Sequence, residues 1–163
     1  VGMLVSTAWA GRQTEPRLGT TRLRWKAALL IALVAGISGA VAALGDTVFP
    51  ATSFLAGMKS EFASDAHALL KLRLVHPVIS VLAGFYLAWL GLQVVRSGRT
   101  QALRRPALAM VSLIGVQMVA GALNVWLLAP VWLQLLHLFI ANLIWISLVI
   151  VVLELGSEQS AAE

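Results

Sequence analysis

Three stretches of the chain carry no Asp, Glu, Lys or Arg. Residues 27–45 make one of 19 positions, residues 74–95 one of 22, and residues 106–153 one of 48. A helix needs about 20 apolar residues to cross the hydrocarbon core of a bilayer, so the third stretch has room for two spans, and Pro130 divides it. The pattern predicts four transmembrane helices, over about 26–45, 72–95, 106–129 and 131–154. Backbone N–H and C=O groups cannot be left bare in lipid, which leaves a helix or a closed barrel. Barrel strands alternate apolar and polar positions. Leu143-Ile144-Trp145-Ile146 and Leu148-Val149-Ile150-Val151-Val152-Leu153 do not. The predicted fold class is all-α, a polytopic membrane protein in which residues 25–155 form a four-transmembrane-helix bundle.

The polar positions orient this bundle. Arg12, Arg17, Arg22, Arg24 and Lys26 precede the first span, and Arg96, Arg99, Arg104 and Arg105 lie between the second and third. The opposite side has Lys59, Lys71 and Arg73 among Asp46, Glu61 and Asp65. Basic residues collect on the cytoplasmic side, so a multi-pass protein of the cell (plasma) membrane with both termini cytoplasmic is expected. Residues 156–163 are then a cytoplasmic tail. Val1–Ala10 is apolar and runs into Gly11-Arg12-Gln13, whereas a signal peptide puts its basic residues first. Residues 1–24 are therefore expected to be the end of a preceding membrane helix plus a cytoplasmic linker over 11–24, in a fragment of a longer chain. Gly45-Asp46-Thr47 is expected to cap the first span, and Ser60–Leu70 to form a short surface helix.

Composition sharpens this picture. Of 163 residues, 60% are hydrophobic and 12% charged, against about 45–50% and about 25% in soluble domains. A soluble globular domain is excluded, and so is a disordered chain. With no cysteine there is no disulfide, thiolate metal site, cysteine nucleophile or c-type haem attachment. The net charge of +5 belongs to the cytoplasmic loops, so the expected partner is membrane lipid and no nucleic acid.

Of three histidines, His76 and His137 lie within spans, where an ionisable residue points to function. Their depths match. His76 precedes Val95 by 19 residues and His137 precedes Leu153 by 16, placing them about 28 and about 24 Å above the inner boundary. Their helices also run the same way. Two histidines at one level in a four-helix bundle are suited to bind one haem iron from both faces. Zinc or copper would want a third or fourth ligand, and His67 falls on the opposite helix face. Ser80 and Gly84 follow His76 at i+4 and i+8, and Ala141 follows His137 at i+4, placing small side chains on the histidine faces. Small-residue packing predicts the same pattern, and so it does for Gly36, Ser38 and Gly39 in the first span. Gln117, Gly121 and Asn124 share one face of the third span, to line a cofactor pocket or hydrogen-bond between helices. Arg73, one turn before His76, is placed to pair with propionates or to snorkel to the interface. Trp126 and Trp132 flank the Ala129-Pro130 turn as an aromatic belt.

The stretch Gly121-Ala-Leu-Asn-Val-Trp-Leu-Leu-Ala-Pro-Val-Trp-Leu-Gln-Leu-Leu-His137-Leu-Phe-Ile-Ala-Asn-Leu-Ile-Trp-Ile resembles the last two helices of the haem A synthase family. Gly45-Asp-Thr-Val-Phe-Pro50 followed by Leu72-Arg-Leu-Val-His76-Pro is similar to the matching earlier pair. The resemblance covers roughly residues 25–153. It implies oxidation of the haem O methyl group to the formyl group of haem A for terminal oxidases. It further implies eight helices in two bundles, each with a histidine pair on its second and fourth helices. Here that pair falls on His76 and His137. The catalytic half of the family carries Glu one turn before the first histidine, where this chain has Arg73. That departure implies the other half, which holds a bis-histidine haem b and relays electrons. The partners implied are an N-terminal four-helix half or another copy of the bundle, and haem O synthase or oxidase assembly factors. A b-type cytochrome subunit without synthase activity, and a haem-free subunit in which both histidines only pack, are the other readings of the same residues.

Overall fold

The computed structural model describes residues 2–62 and 67–160. Five helices follow in order: α1 (Gly2–Val48), α2 (Phe54–Phe62), α3 (Ala68–Arg96), α4 (Gln101–Trp126) and α5 (Val131–Ser160), with no strand among the described residues. Four stretches are long and apolar enough to cross a membrane: Arg22–Val48, Leu69–Arg96, Gln101–Trp126 and Val131–Glu158. They contain the first, second and fourth spans expected from the charge gaps, extended at the polar ends because a helix does not stop where its charges begin, whereas the third begins earlier and ends at Trp126 rather than residue 129, where Leu128 and Ala129 turn to positive φ.

Three expectations are corrected. Residues 11–24 are helical rather than irregular, as part of α1, which runs from Gly2 to Val48. Gly45 does not end it either. The Gly45 carbonyl accepts from Phe49 N–H at 2.9 Å, and the helix stops where Phe49 precedes Pro50, a pair that disfavours helical backbone. The short helix outside the spans is Phe54–Phe62 rather than Ser60–Leu70. Ser53 Oγ accepts from Ala56 N–H at 3.2 Å and so caps its start. Residues 63–66, with Asp65, lie outside the described residues.

α1 packs on α3, α3 on α4 and α4 on α5, and α5 closes the ring on α1 by a lighter contact. α3 and α5 therefore stand on a diagonal. The α1–α3 pair is held near both ends. At one end Arg73 Nη1 meets Asp46 Oδ1 at 2.8 Å, with side chains 12% and 25% exposed. At the other, the Arg24 guanidinium lies 5.9 Å from the Trp89 ring centre and Tyr86 Oη donates to the Arg24 carbonyl at 3.2 Å. Arg99 and Thr100 bind Glu158 at 2.8 and 2.7 Å. The start of the first span and the end of the last thus share the arginine-rich end of the bundle.

Packing is uneven along the bundle axis. The fully buried Leu103, Met110, Leu148 and Val151 all lie in the arginine-rich half. Gly91 permits that density, because a Cβ there would come 2.7 Å from Val111 Cγ2 and 2.9 Å from Met110 Cε. The half toward α2 buries Ala42, Leu70, Ala120 and Leu133, none of them fully. Phe85, Val116 and Leu138 are exposed, as expected of side chains that face lipid.

Candidate functional site

His76 lies seven residues into the second candidate span, which begins at Leu69, and His137 six residues into α5. At 1.5 Å per residue they are about 10 and about 9 Å from the α2 end. Both side chains are half-buried and stand on diagonal helices.

The two rings are held in different ways. His76 Nδ1 is 2.9 Å from Ser38 Oγ on α1. Ser80 Oγ, one turn along α3, is 3.1 Å from Nδ1 and 3.3 Å from Nε2. Gly39 seats the ring, since a Cβ there would lie 3.0 Å from Cε1 and 3.5 Å from Nε2. His137 Nε2 is 3.1 Å from Gln117 Nε2 on α4. Its seat is Gly121, where a Cβ would lie 3.2 Å from Cε1. Each histidine thus leans on a glycine of a neighbouring helix.

Polar groups around His137 are not all satisfied. Gln117 Oε1, Asn124 Oδ1 and His137 Nδ1 are buried without a hydrogen-bond partner among the described residues. A buried unpaired polar atom costs about 1–3 kcal/mol, so three together mark a place built for something further. The donor set suits a haem. It offers two imidazoles at one level, glycine seats beside both rings, and flanking small residues. No group of three or more His, Cys, Asp or Glu suited to a metal ion occurs among the described residues, as a zinc site would want.

The other expected site residues divide. Ser80 touches His76, as the helical spacing suggests, and Gln117 reaches across from α4 to His137. Ala141 is half-buried one turn from His137. Asn124 Nδ2 donates to the Leu133 carbonyl at 3.5 Å, across the α4–α5 contact. Gly84 does not face His76. A Cβ there would meet Met118 Sδ at 3.4 Å and Ile114 Cγ2 at 3.6 Å, so the residue serves the α3–α4 contact. Arg73 is engaged by Asp46 and lies 3.5 Å from the Phe49 carbonyl. His67 is exposed. It caps α3, with Nδ1 accepting from Leu69 N–H at 3.2 Å, and stacks at 5.3 Å on Phe49. Sequence reasoning took Ser38 and Gly39 for packing residues, because a small residue in a span reads the same in both roles. Their three-residue and four-residue spacing from Ala35, and their level opposite His76, were the available signals.

Comparison with known proteins adds the following. A model of the COX15-CtaA family, described as cytochrome oxidase assembly protein, matches residues 1–149. Two curated proteins from two strains of Thermus thermophilus, each named protoheme IX farnesyltransferase, are 40% identical over 147 residues. The match covers 88% of this chain and 24% of each of those proteins, so the chain spans about a quarter of their length. No solved structure matches.

Proposed function

The chain belongs to the COX15-CtaA family of cytochrome oxidase assembly proteins, and from that premise we propose that it is the haem b-binding half of a haem A synthase. In this reading it relays electrons for oxidation of the haem O methyl group to formyl. The observation that carries the proposal is the pair His76 and His137, level with one another on diagonal helices of a four-span bundle. The curated relatives support haem as the ligand. Proteins named for farnesylating protohaem IX contain a segment like this bundle within a chain about four times as long.

His76 and His137 would hold the iron, and Gly39 and Gly121 leave room for the two rings. A haem b bound there would supply one-electron transfer. Gln117 Oε1 and Asn124 Oδ1 are buried without a partner among the described residues and are free to accept from a bound group. Phe85, Leu138 and the other lipid-facing side chains keep bulk water from the bundle. Oxidation of the methyl group then belongs to a partner: an N-terminal four-helix half or another copy of the bundle. Haem O synthase and oxidase assembly factors are the further partners in this reading. Both termini are cytoplasmic in it, since the arginine-rich end carries Arg22, Arg24, Arg96, Arg99, Arg104 and Arg105.

The test is spectroscopic and then functional. Protein purified from haem-replete membranes should show low-spin bands, and pyridine haemochrome should identify haem b. His76→Ala and His137→Ala should lose it. Joined to an upstream four-helix half, the chain should support haem A synthesis and either variant should stop it. A colourless, folded preparation rejects the cofactor. Haem A synthesis unaffected by His76→Ala rejects the electron relay and leaves a cytochrome subunit without synthase activity.

A further inference from the structure

Ser38 Oγ has two neighbours, the Ala35 carbonyl at 2.8 Å and His76 Nδ1 at 2.9 Å. A hydroxyl has one proton to give. The carbonyl can only accept, and the shorter of the two contacts is a hydrogen bond only with the Ser38 proton on Ala35. What Ser38 then offers His76 is a lone pair, and Nδ1 must be the donor. The geometry points to Ser38 as a positioning residue that locks His76 in its Nδ1–H tautomer and so presents an unprotonated Nε2 as the iron ligand. The tautomer is assigned from the hydrogen-bond network, as is usual for histidine. The identity of the metal rests on the haem reading above, and the tautomer does not.

Neither of the other contacts makes this choice. Ser80 Oγ stands almost equally far from Nδ1 and Nε2, at 3.1 and 3.3 Å, and so is compatible with either tautomer. Ser38 reaches Nδ1 alone. Gly39, the next residue, fixes where the same ring stands, since a Cβ would press on Cε1 at 3.0 Å. One dipeptide of α1 therefore sets both the proton and the place of a ligand carried by α3. His137 is treated differently. Its neighbour is the amide nitrogen of Gln117, which donates, and its own Nδ1 is buried without an acceptor among the described residues. An Nδ1–H···O bond orients a metal-bound histidine and raises its basicity. The two ligands are thus unequal, with His76 the stronger donor.

The experiment reads the tautomer first, without haem. Histidine-selective ¹⁵N NMR on the full haem-free chain, assigned by loss of one signal in His76→Gln, should show His76 as the Nδ1–H form. Ser38→Ala should give a mixture or the Nε2–H form, and Ser38→Thr, which keeps the hydroxyl, should restore the wild-type pattern. In the haem-loaded protein Ser38→Ala should weaken haem retention about 10–100-fold. Its midpoint potential should rise, because ferric iron gains most from a basic imidazole. A tenfold loss confined to the ferric form corresponds to about 59 mV. An Nε2–H tautomer in the wild type overturns the assignment, as does a Ser38→Ala protein with wild-type tautomer and potential. Should the wild type show the Nδ1–H tautomer yet take up no haem, the haem reading fails and the role of Ser38 in fixing the tautomer stands.

Discussion

Replacing Gly39 by alanine isolates the cost of filling the seat under His76. Two terms oppose one another. Alanine is about 1 kcal/mol better than glycine inside a helix, and that gain is shared by Gly36→Ala on the same helix. At Gly36 nothing lies within 4 Å of the added methyl group. At Gly39 the methyl group would sit 3.0 Å from His76 Cε1, so the ring must move by several tenths of an ångström. Ser38 and Ser80 hold that ring. Moving it breaks a hydrogen bond, worth about 1 kcal/mol, or turns the side chain off its rotamer, at about 0.5–1.5 kcal/mol. Both figures overlap the lower part of the overpacking range of about 1–3 kcal/mol. The difference between the two variants cancels the propensity gain. Gly39→Ala should therefore be about 1–3 kcal/mol less stable than Gly36→Ala when the haem-free chain is unfolded in mild detergent. The same energy, felt by the ligand, should speed haem transfer to an acceptor apoprotein by about 5- to 150-fold. Equal stability of the two variants, or a more stable Gly39→Ala, would refute the reasoning, since His76 would then not be seated on Gly39.

Gly91→Ala places a methyl group 2.7 Å from Val111 Cγ2, 2.9 Å from Met110 Cε and 3.4 Å from the Ala107 carbonyl; unfolding in detergent should show a loss of at least about 1–3 kcal/mol, whereas Gly115→Ala, with nothing within 4 Å, should lose nothing. Ala129 has a φ of 52° and Leu128 one of 59°, in the left-handed region that costs an L-residue about 1–2 kcal/mol. Ala129→Gly should relieve part of that and raise stability by about 0.5–1 kcal/mol, read as a higher Tm from the fluorescence of Trp126 and Trp132, while Ala129→Val should lower it. Asp46→Asn removes one partner of a largely buried ion pair. It should cost about 1.5–3 kcal/mol, and a double-mutant cycle with Arg73→Gln should show coupling between the two; additive losses would mean that the pair contributes nothing of its own.

The spans were legible because lipid admits so few solutions. Residues 106–153 carry no charge, and no soluble arrangement explains such a stretch. The level of His76 and His137 was legible for a related reason, since a span fixes height from residue number alone. What surrounds each ring was only half legible. Ser80 and His76 share a helix, so their contact follows from helical spacing. Ser38 and His76 are 38 residues apart, and their contact depends on how α1 rolls against α3, which no periodicity reports. Arg73 shows the same limit. Its partner Asp46 lies 27 residues away, at the end of a helix that was expected to stop earlier. Gly84 was placed on the histidine face by counting, yet eight residues of helix carry it about 80° round from His76, far enough to face Met118. The helix Phe54–Phe62 escaped because it is short, and short helices depend on packing more than on pattern.

The double fastening of α1 to α3 has an evolutionary consequence. Arg24 is tied to Trp89 and Tyr86, and Asp46 to Arg73. From Arg24 to Asp46 is 22 residue steps, about 33 Å of helix. One residue inserted between them would advance the far part by 1.5 Å and turn it by about 100°, and no straight helix keeps both fastenings after such a change. The Ser38-Gly39 pair lies between them and would leave His76 with the same shift. Insertions and deletions should therefore be purged from this interval however far the side chains drift, and accepted in the connection over residues 51–66. A constant distance between the two anchor points would identify distant relatives of this bundle where residue identity has faded.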